Sequence, residues 1–182
     1  KIHESIGYTD YSLMKFFEAA KKTEWYNNTL FIITADHTAQ AESEYYKNKL
    51  GNYAIPIILY HPNDSSIIGN SEIIAQQSDI YPTILDYLGI QDTIVCFGNS
   101  MFTEEKEHFS VNYINGIYQL IKNDTLLQFN GNNTLAIYDI KSDSLLKNNL
   151  LEMSNYKELE TILKAYIQSY EERLSKNDLT VN

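Results

Sequence analysis

Apolar residues recur at the spacing of one helical face over residues 10–22, where Leu13, Phe16, Phe17 and Ala20 fall at i, i+3, i+4 and i+7. Thr9 or Asp10 is placed to cap that helix. An Asn27-Asn28 turn leads into Thr29-Leu30-Phe31-Ile32-Ile33-Thr34-Ala35, a near-continuous apolar run with β-branched residues. Such a run suits a parallel strand buried on both faces. It ends in the polar residues Asp36-His37-Thr38, and ligands of open α/β sheets bind at the carboxyl ends of strands. A second buried strand is expected over residues 54–60, with Pro56 near its start marking an edge position or an irregular entry. Residues 80–88 read as a helix with Ser78 or Asp79 as its cap, Pro82 in its first turn and Gly89 as its stop. Its apolar face is Ile80, Ile84, Leu85 and Leu88.

Beyond about residue 108 the apolar period shortens from that of a helix to that of a strand. Residues 111–114 and 117–121 flank Asn115-Gly116, a pair suited to a type I′ hairpin turn. Asn123-Asp124 and residues 130–133 supply two more turns, with strands expected at 125–129 and 135–138. The chain closes with a helix over about residues 156–174, whose stripe of Leu159, Ile162, Leu163, Tyr166, Ile167, Tyr170 and Leu174 reads as core packing. Asn155 with Glu158 resembles a capping box. The expected class is therefore α/β. A mostly parallel sheet flanked by helices occupies residues 1–107, and a small antiparallel sheet with the C-terminal helix packed on it occupies residues 108–182.

Composition narrows the function. The chain has 182 residues, enough for a real core, and a net charge of −10 from 14 basic and 24 acidic side chains. That charge repels phosphate backbones and anionic membrane surfaces, so nucleic acid is not the expected partner. The lone cysteine, Cys96, permits neither an intrachain disulfide nor a cysteine-based metal site, and reads as a small buried hydrophobe. No run of 18 apolar residues and no signal peptide occurs, and a soluble chain is expected. The sequence opens at Lys1 rather than Met, directly into a helical pattern, as expected of a segment of a longer protein. A single arginine, Arg173, among abundant Lys, Asn, Ile and Tyr suggests AT-rich codons and a bacterial source.

The sharpest chemical feature is Asp36-His37 at the end of a buried strand. A carboxylate and an imidazole are good ligands for a divalent ion such as Zn²⁺ or Mn²⁺. Such an ion polarises a phosphoryl or sulfuryl oxygen and lowers the pKa of a nucleophile. As a bare dipeptide the pair is unspecific, and a solvated strand end is the bland alternative.

The wider sequence resembles sulfatases of the lipoteichoic acid synthase type, members of the alkaline phosphatase superfamily. The resemblance is carried by Tyr8-Thr9-Asp10-Tyr11-Ser12-Leu13 and by the run from Trp25 to Thr38 that contains Ala35-Asp36-His37-Thr38. It continues through Ala54-Ile55-Pro56-Ile57-Ile58, the stretch from Gln77 to Ile90, and Tyr138-Asp139 to Leu150. It implies a partial alkaline phosphatase-like sandwich, with Asp36 and His37 as ligands of a divalent metal, Mn or Zn first and Mg or Ca as alternatives. It also implies a Thr nucleophile and a further acidic ligand in the missing N-terminal half of the same protein, upstream of Lys1, so that the present residues include no catalytic nucleophile. The parent implied is membrane-anchored, with its catalytic domain outside the cytoplasmic membrane. It cleaves or transfers phosphate or sulfate esters, lipid- or glycan-linked. The segment alone is expected to be inactive, and its open sheet edges to invite self-association.

Other residues have both a functional and a structural reading. Glu42 and Glu44 follow the Asp-His pair as acids of a site rim or as solvated loop acids. Lys47 and Lys49 attract an anionic substrate or are surface charges. His61, between a strand and Pro62, is a third ligand or a turn residue. His3 and the Glu-Lys-Glu-His stretch ending at His108 read as surface, and Asp10 and Asp79 as helix caps. Two alternatives stand beside the enzyme. One is a Tyr-rich binding module for a carbohydrate or a protein, which has no reason to hold a metal. The other is a degenerate relative that keeps the fold without activity. Asp-His-Thr, where formylglycine sulfatases commonly have Asp-His-Gly, leans toward the synthase-like branch.

Overall fold

Helix α1 (Ile2–Ala20) starts a full two turns before Thr9. The computed structural model describes residues 2–38, 41–103, 107–153 and 155–181. Thr9 and Asp10 lie inside α1 rather than capping it. The Thr9 hydroxyl donates to the Ser5 carbonyl (3.0 Å) and that of Ser12 to Tyr8 (2.8 Å), as mid-helix hydroxyls do.

With residues 55–71, α1 and strand β1 (Phe31–Thr34) form the first of two compact units. β1 pairs with β2 (Ile57–Tyr60) in the register Phe31↔Tyr60 to Thr34↔Ile57. The pair is antiparallel, against the parallel strand expected of the apolar run. An apolar run reports how much of a strand is covered, not which way its neighbour points, and β1 is only half-buried. β2 begins after Pro56, which has no N–H for the ladder but whose carbonyl accepts from the Thr34 hydroxyl (2.9 Å). The unit is held by aromatic rings gathered on Phe31: Phe17 at 5.1 Å, Tyr26 at 5.7 Å and Tyr60 at 5.8 Å between centroids. The Tyr26 and Tyr60 hydroxyls hydrogen-bond at 2.7 Å.

The second unit comprises His37–Ala54 and Glu72–Asn182. It contains α2 (Glu44–Lys47), α3 (Ile80–Tyr87) and a sheet of β3 (Phe109–Ile114), β4 (Ile117–Lys122), β5 (Thr125–Phe129) and β6 (Thr134–Asp139). Helix α4 (Lys157–Lys176) closes the chain. The sheet is an antiparallel meander in sequence order. Its first turn places Asn115 at φ 51° and Gly116 at φ 81°, both left-handed as a type I′ turn requires. Gly116→Ala is expected to cost about 1–2 kcal/mol, read as a lowered urea midpoint at constant slope.

One face of the sheet carries the core: Leu120, Leu127, Phe129 and Ile137 close on Leu163 of α4. Leu159, Ile162 and Ile167 pack around them, as the stripe predicts. The expected Asn155–Glu158 capping box does not form. Tyr156 holds the N-cap position without a side-chain bond, and Glu158 lies 3.8 Å from the buried Lys122 ammonium. The ammonium also pairs with Glu107 at 2.7 Å.

The opposite face is polar at one point. Gln119 and Gln128 sit in direct register and are both buried. Gln128 Nε2 donates to Gln119 Oε1 (3.0 Å), and Gln119 Nε2 donates to Asn112 Oδ1 (2.7 Å) and to the Lys49 carbonyl (3.0 Å). Every polar atom of the Gln119 amide is thus engaged, which makes its burial tolerable. The whole is a mixed α/β fold with an antiparallel sheet and a closing helix, as expected.

Candidate functional site

Asp36 and His37 follow β1 and are exposed. His37 Nδ1 lies 2.8 Å from the Thr38 carbonyl. A carbonyl only accepts, so Nδ1 carries a proton. Metal-binding histidines are set in the same way, with one ring nitrogen tied to the backbone and the other turned to the ion. Imidazole nitrogen and carboxylate oxygen are donor types that divalent ions such as Zn²⁺ or Mn²⁺ accept. Among the described residues no group of three or more His, Cys, Asp or Glu side chains gathers as a metal cluster. The candidate donors here are therefore two consecutive residues, Asp36 and His37.

Thr38, which sequence reading left without a role, anchors the segment after His37. Its hydroxyl donates to the Asn52 carbonyl (2.9 Å). Asn48 folds the intervening turn: its Oδ1 accepts from the N–H groups of Leu50 and Gly51 (both 2.8 Å), and its Nδ2 donates to the Ser144 carbonyl (2.9 Å). Gly51 is required, because a Cβ there would lie 2.1 Å from the Tyr45 carbonyl oxygen. The only sequence signal for this turn was its Asn and Gly content.

The remaining candidates separate cleanly. Lys47 pairs with Glu44 at 2.8 Å, which holds the Glu44 carboxyl below its ordinary value, so each charge is answered locally. Glu42 and the Lys49 side chain are exposed. His61 lines a 650 Å³ groove after β2 with Asp64. Its Nδ1 accepts the Asn63 N–H (3.2 Å), and Asp64 accepts from Ser66 N–H and Oγ (2.9 and 2.6 Å), which is the arrangement of a turn. His3 and Asp10 are exposed on α1.

His108 departs from the solvated reading. Its Nε2 donates to the Thr103 carbonyl (3.1 Å), and its Nδ1 is buried without a partner among the described residues. The charged neighbours Glu105 and Lys106, on which that reading rested, lie outside the described residues. Cys96 is half-buried rather than fully enclosed. Its thiol donates to the Ser78 carbonyl (3.4 Å) and accepts the Gly98 N–H (3.3 Å).

Asp79 is 2% exposed. It caps the turn ahead of α3 by accepting the Gln76 N–H (2.8 Å), and it ties in residues 96–100 by accepting the Asn99 N–H (2.8 Å). Burial pushes its carboxyl above the ordinary 3.8, opposed by those two N–H groups and by His108. The folded chain therefore holds this proton more tightly than the unfolded chain. Stability from Asp79 grows as pH falls through the raised value, is complete below 3.8 and is lost as pH rises. Asp79→Asn turns an NH₂ toward one of two donors and is expected to cost about 1–3 kcal/mol. Urea unfolding from pH 7 to pH 4 should show the wild type gaining on the variant as pH falls.

Residues 2–90, which include Asp36 and His37, match the Sulfatase family model. An arylsulfatase of Clostridium perfringens is 23% identical over 188 residues, covering 93% of this chain and 39% of that protein. A crystal structure of a protein in the alkaline phosphatase superfamily from Vibrio parahaemolyticus superposes with a TM-score of 0.78 at 19% identity, over 96% of this chain and 42% of that one. A protein solved in complex with its substrate D-glucosamine-2-N,6-O-disulfate gives a TM-score of 0.64 at 18% identity, over 93% and 39%. The fold is thus alkaline phosphatase-like, and the chain spans about two-fifths of the length of these relatives.

Proposed function

We propose that the chain belongs to a metal-dependent hydrolase that cleaves sulfate esters, and that it supplies Asp36 and His37 as two of the metal's ligands. The observation that carries this reading is the Sulfatase match over residues 2–90, with the Asp-His pair at the end of β1 inside it. When bound, the ion supplies Lewis-acid polarisation of the ester oxygen and activation of a nucleophile. Asp36 offers carboxylate oxygen and His37 offers Nε2, its Nδ1 proton already placed on Thr38. The other ligands and the nucleophile come from the part of the parent that these residues do not include, given relatives more than twice as long. A glycan sulfate is the favoured substrate, since a structural neighbour was solved with a sulfated glucosamine.

A second reading, transfer of phosphoglycerol from a lipid by a lipoteichoic acid synthase-like parent, is favoured by Thr38 in place of the glycine common in formylglycine sulfatases. It requires a membrane-anchored parent acting outside the cytoplasm. No helix among the described residues is long and apolar enough to cross a membrane.

The test is metal content and turnover of a protein extended to include the parent's other part. Aryl sulfate hydrolysis that needs Mn²⁺ or Zn²⁺ supports the first reading, and release of phosphoglycerol from a lipid supports the second. Absence of both with metal bound points to a degenerate relative, and absence of metal to a binding module. Residues 1–182 alone are expected to show no turnover.

A further inference from the structure

We propose that Thr38 and Gln119 are positioning residues for His37, so that the C-terminal sheet sets the imidazole of the Asp-His pair. The inference rests on the reading of His37 as a ligand, but its geometry stands by itself within one compact unit. The sheet end of the connection is rigid. Gln119 is fully buried and its amide orientation is determined, because the Lys49 carbonyl can only accept. Gln128 and Asn112 occupy the rest of that amide. Lys49 is thereby fixed, and three residues later the carbonyl of Asn52 receives the Thr38 hydroxyl. The segment between is held by Asn48, by the close approach at Gly51, and by the Tyr53 hydroxyl donating to the Tyr113 carbonyl of β3 (3.3 Å). The Thr38 carbonyl then takes the His37 Nδ1 proton. A second-layer partner of this kind fixes ring tautomer and orientation, and its loss typically weakens metal affinity by about 10–100-fold.

The relay explains two otherwise isolated facts. A glutamine pair buried in a sheet gains less than an apolar pair there unless it holds something, and what it holds is the backbone of the segment that begins at His37. A threonine after the Asp-His pair supplies a hydroxyl that glycine does not, and that hydroxyl is the link to Asn52.

The experiment uses the 182-residue chain, ¹⁵N-labelled at histidine, without metal and then with Mn²⁺ alone. In the wild type, His37 is expected to show the Nδ1–H tautomer in long-range ¹H–¹⁵N spectra. Thr38→Val, which keeps the shape and removes the hydroxyl, should mix in the Nε2–H tautomer and weaken Mn²⁺ broadening at His37 about ten-fold. Thr38→Ser should restore both. Gln119→Leu should act as Thr38→Val does while the amide spectrum of β3 to β6 stays in place. An unchanged tautomer in Thr38→Val overturns the proposal, whether or not Gln119→Leu folds, because the route from sheet to ring passes through that hydroxyl. Failure of Mn²⁺ to broaden His37 in a protein extended to include the parent's other part would instead sink the ligand reading. The tautomer response would still decide the positioning.

Discussion

Replacing His37 by alanine is expected to abolish tight binding of Mn²⁺ or Zn²⁺ by the proposed parent protein, and Asp36→Ala to do the same. Each change removes a proposed donor atom, so the loss should exceed the upper end, about 100-fold, of what supporting residues cost. Asp36 and His37 are consecutive and exposed, so neither substitution opens a core cavity. The thermal midpoint of the metal-free chain should move little. The controls sharpen the result. Glu44→Ala breaks the pair with Lys47, and His61→Ala removes the acceptor of the Asn63 N–H. Both should bind metal as the wild type does. Calorimetric titration with each ion reads all four variants. Full metal affinity in His37→Ala would remove the ligand assignment, and a loss in His61→Ala would make His61 the third ligand.

Replacing Leu163 by alanine is expected to destabilise the second unit by about 3–5 kcal/mol. Leu163 is fully buried, and it is the residue of α4 that closes on Leu120, Leu127, Phe129 and Ile137. The sheet beneath it is a rigid meander, so the cavity has little freedom to collapse, which places the cost toward the top of the usual range. Leu174→Ala, at a 53% exposed position of the same helix, should cost under about 1 kcal/mol by comparison. Urea denaturation followed by the tyrosine signal distinguishes the two. Similar midpoints would mean that α4 is not the lid of this core.

The parts legible in the sequence are those where local chemistry and burial agree. Asn115-Gly116 between two alternating runs yields its turn unaided, because positive φ at both positions admits few other residues. The Leu159-to-Ile167 stripe yields α4 because it faces one core. The cap of α1 was misplaced at Thr9 or Asp10, because the clearest apolar stripe begins only at Leu13 while Ile2 and Ile6 ahead of it are exposed. Strand direction was hidden because Phe31–Thr34 reads the same beside either kind of neighbour. Asp36 and His37 stood out by type and by place after a strand. Thr38, Asn52 and Gln119 did not, because the two bonds that link them into the relay end on the backbone carbonyls of Asn52 and Lys49, which leave no mark on the side-chain pattern.

The Lys49–Gln119 hydrogen bond spans 70 residues of chain, whereas each strand of the meander pairs with the next across a short turn. Chain closure costs more as the spanned length grows, so local hairpins form ahead of distant docking. In kinetic terms the meander and α4 are expected to assemble first, with the segment carrying His37 docking afterwards. The same order runs backwards in local opening, where weakly anchored segments detach long before the core melts. The imidazole at the centre of the proposed chemistry is thus expected among the last groups placed during folding, and its anchors to the sheet are what a sub-global opening would have to break.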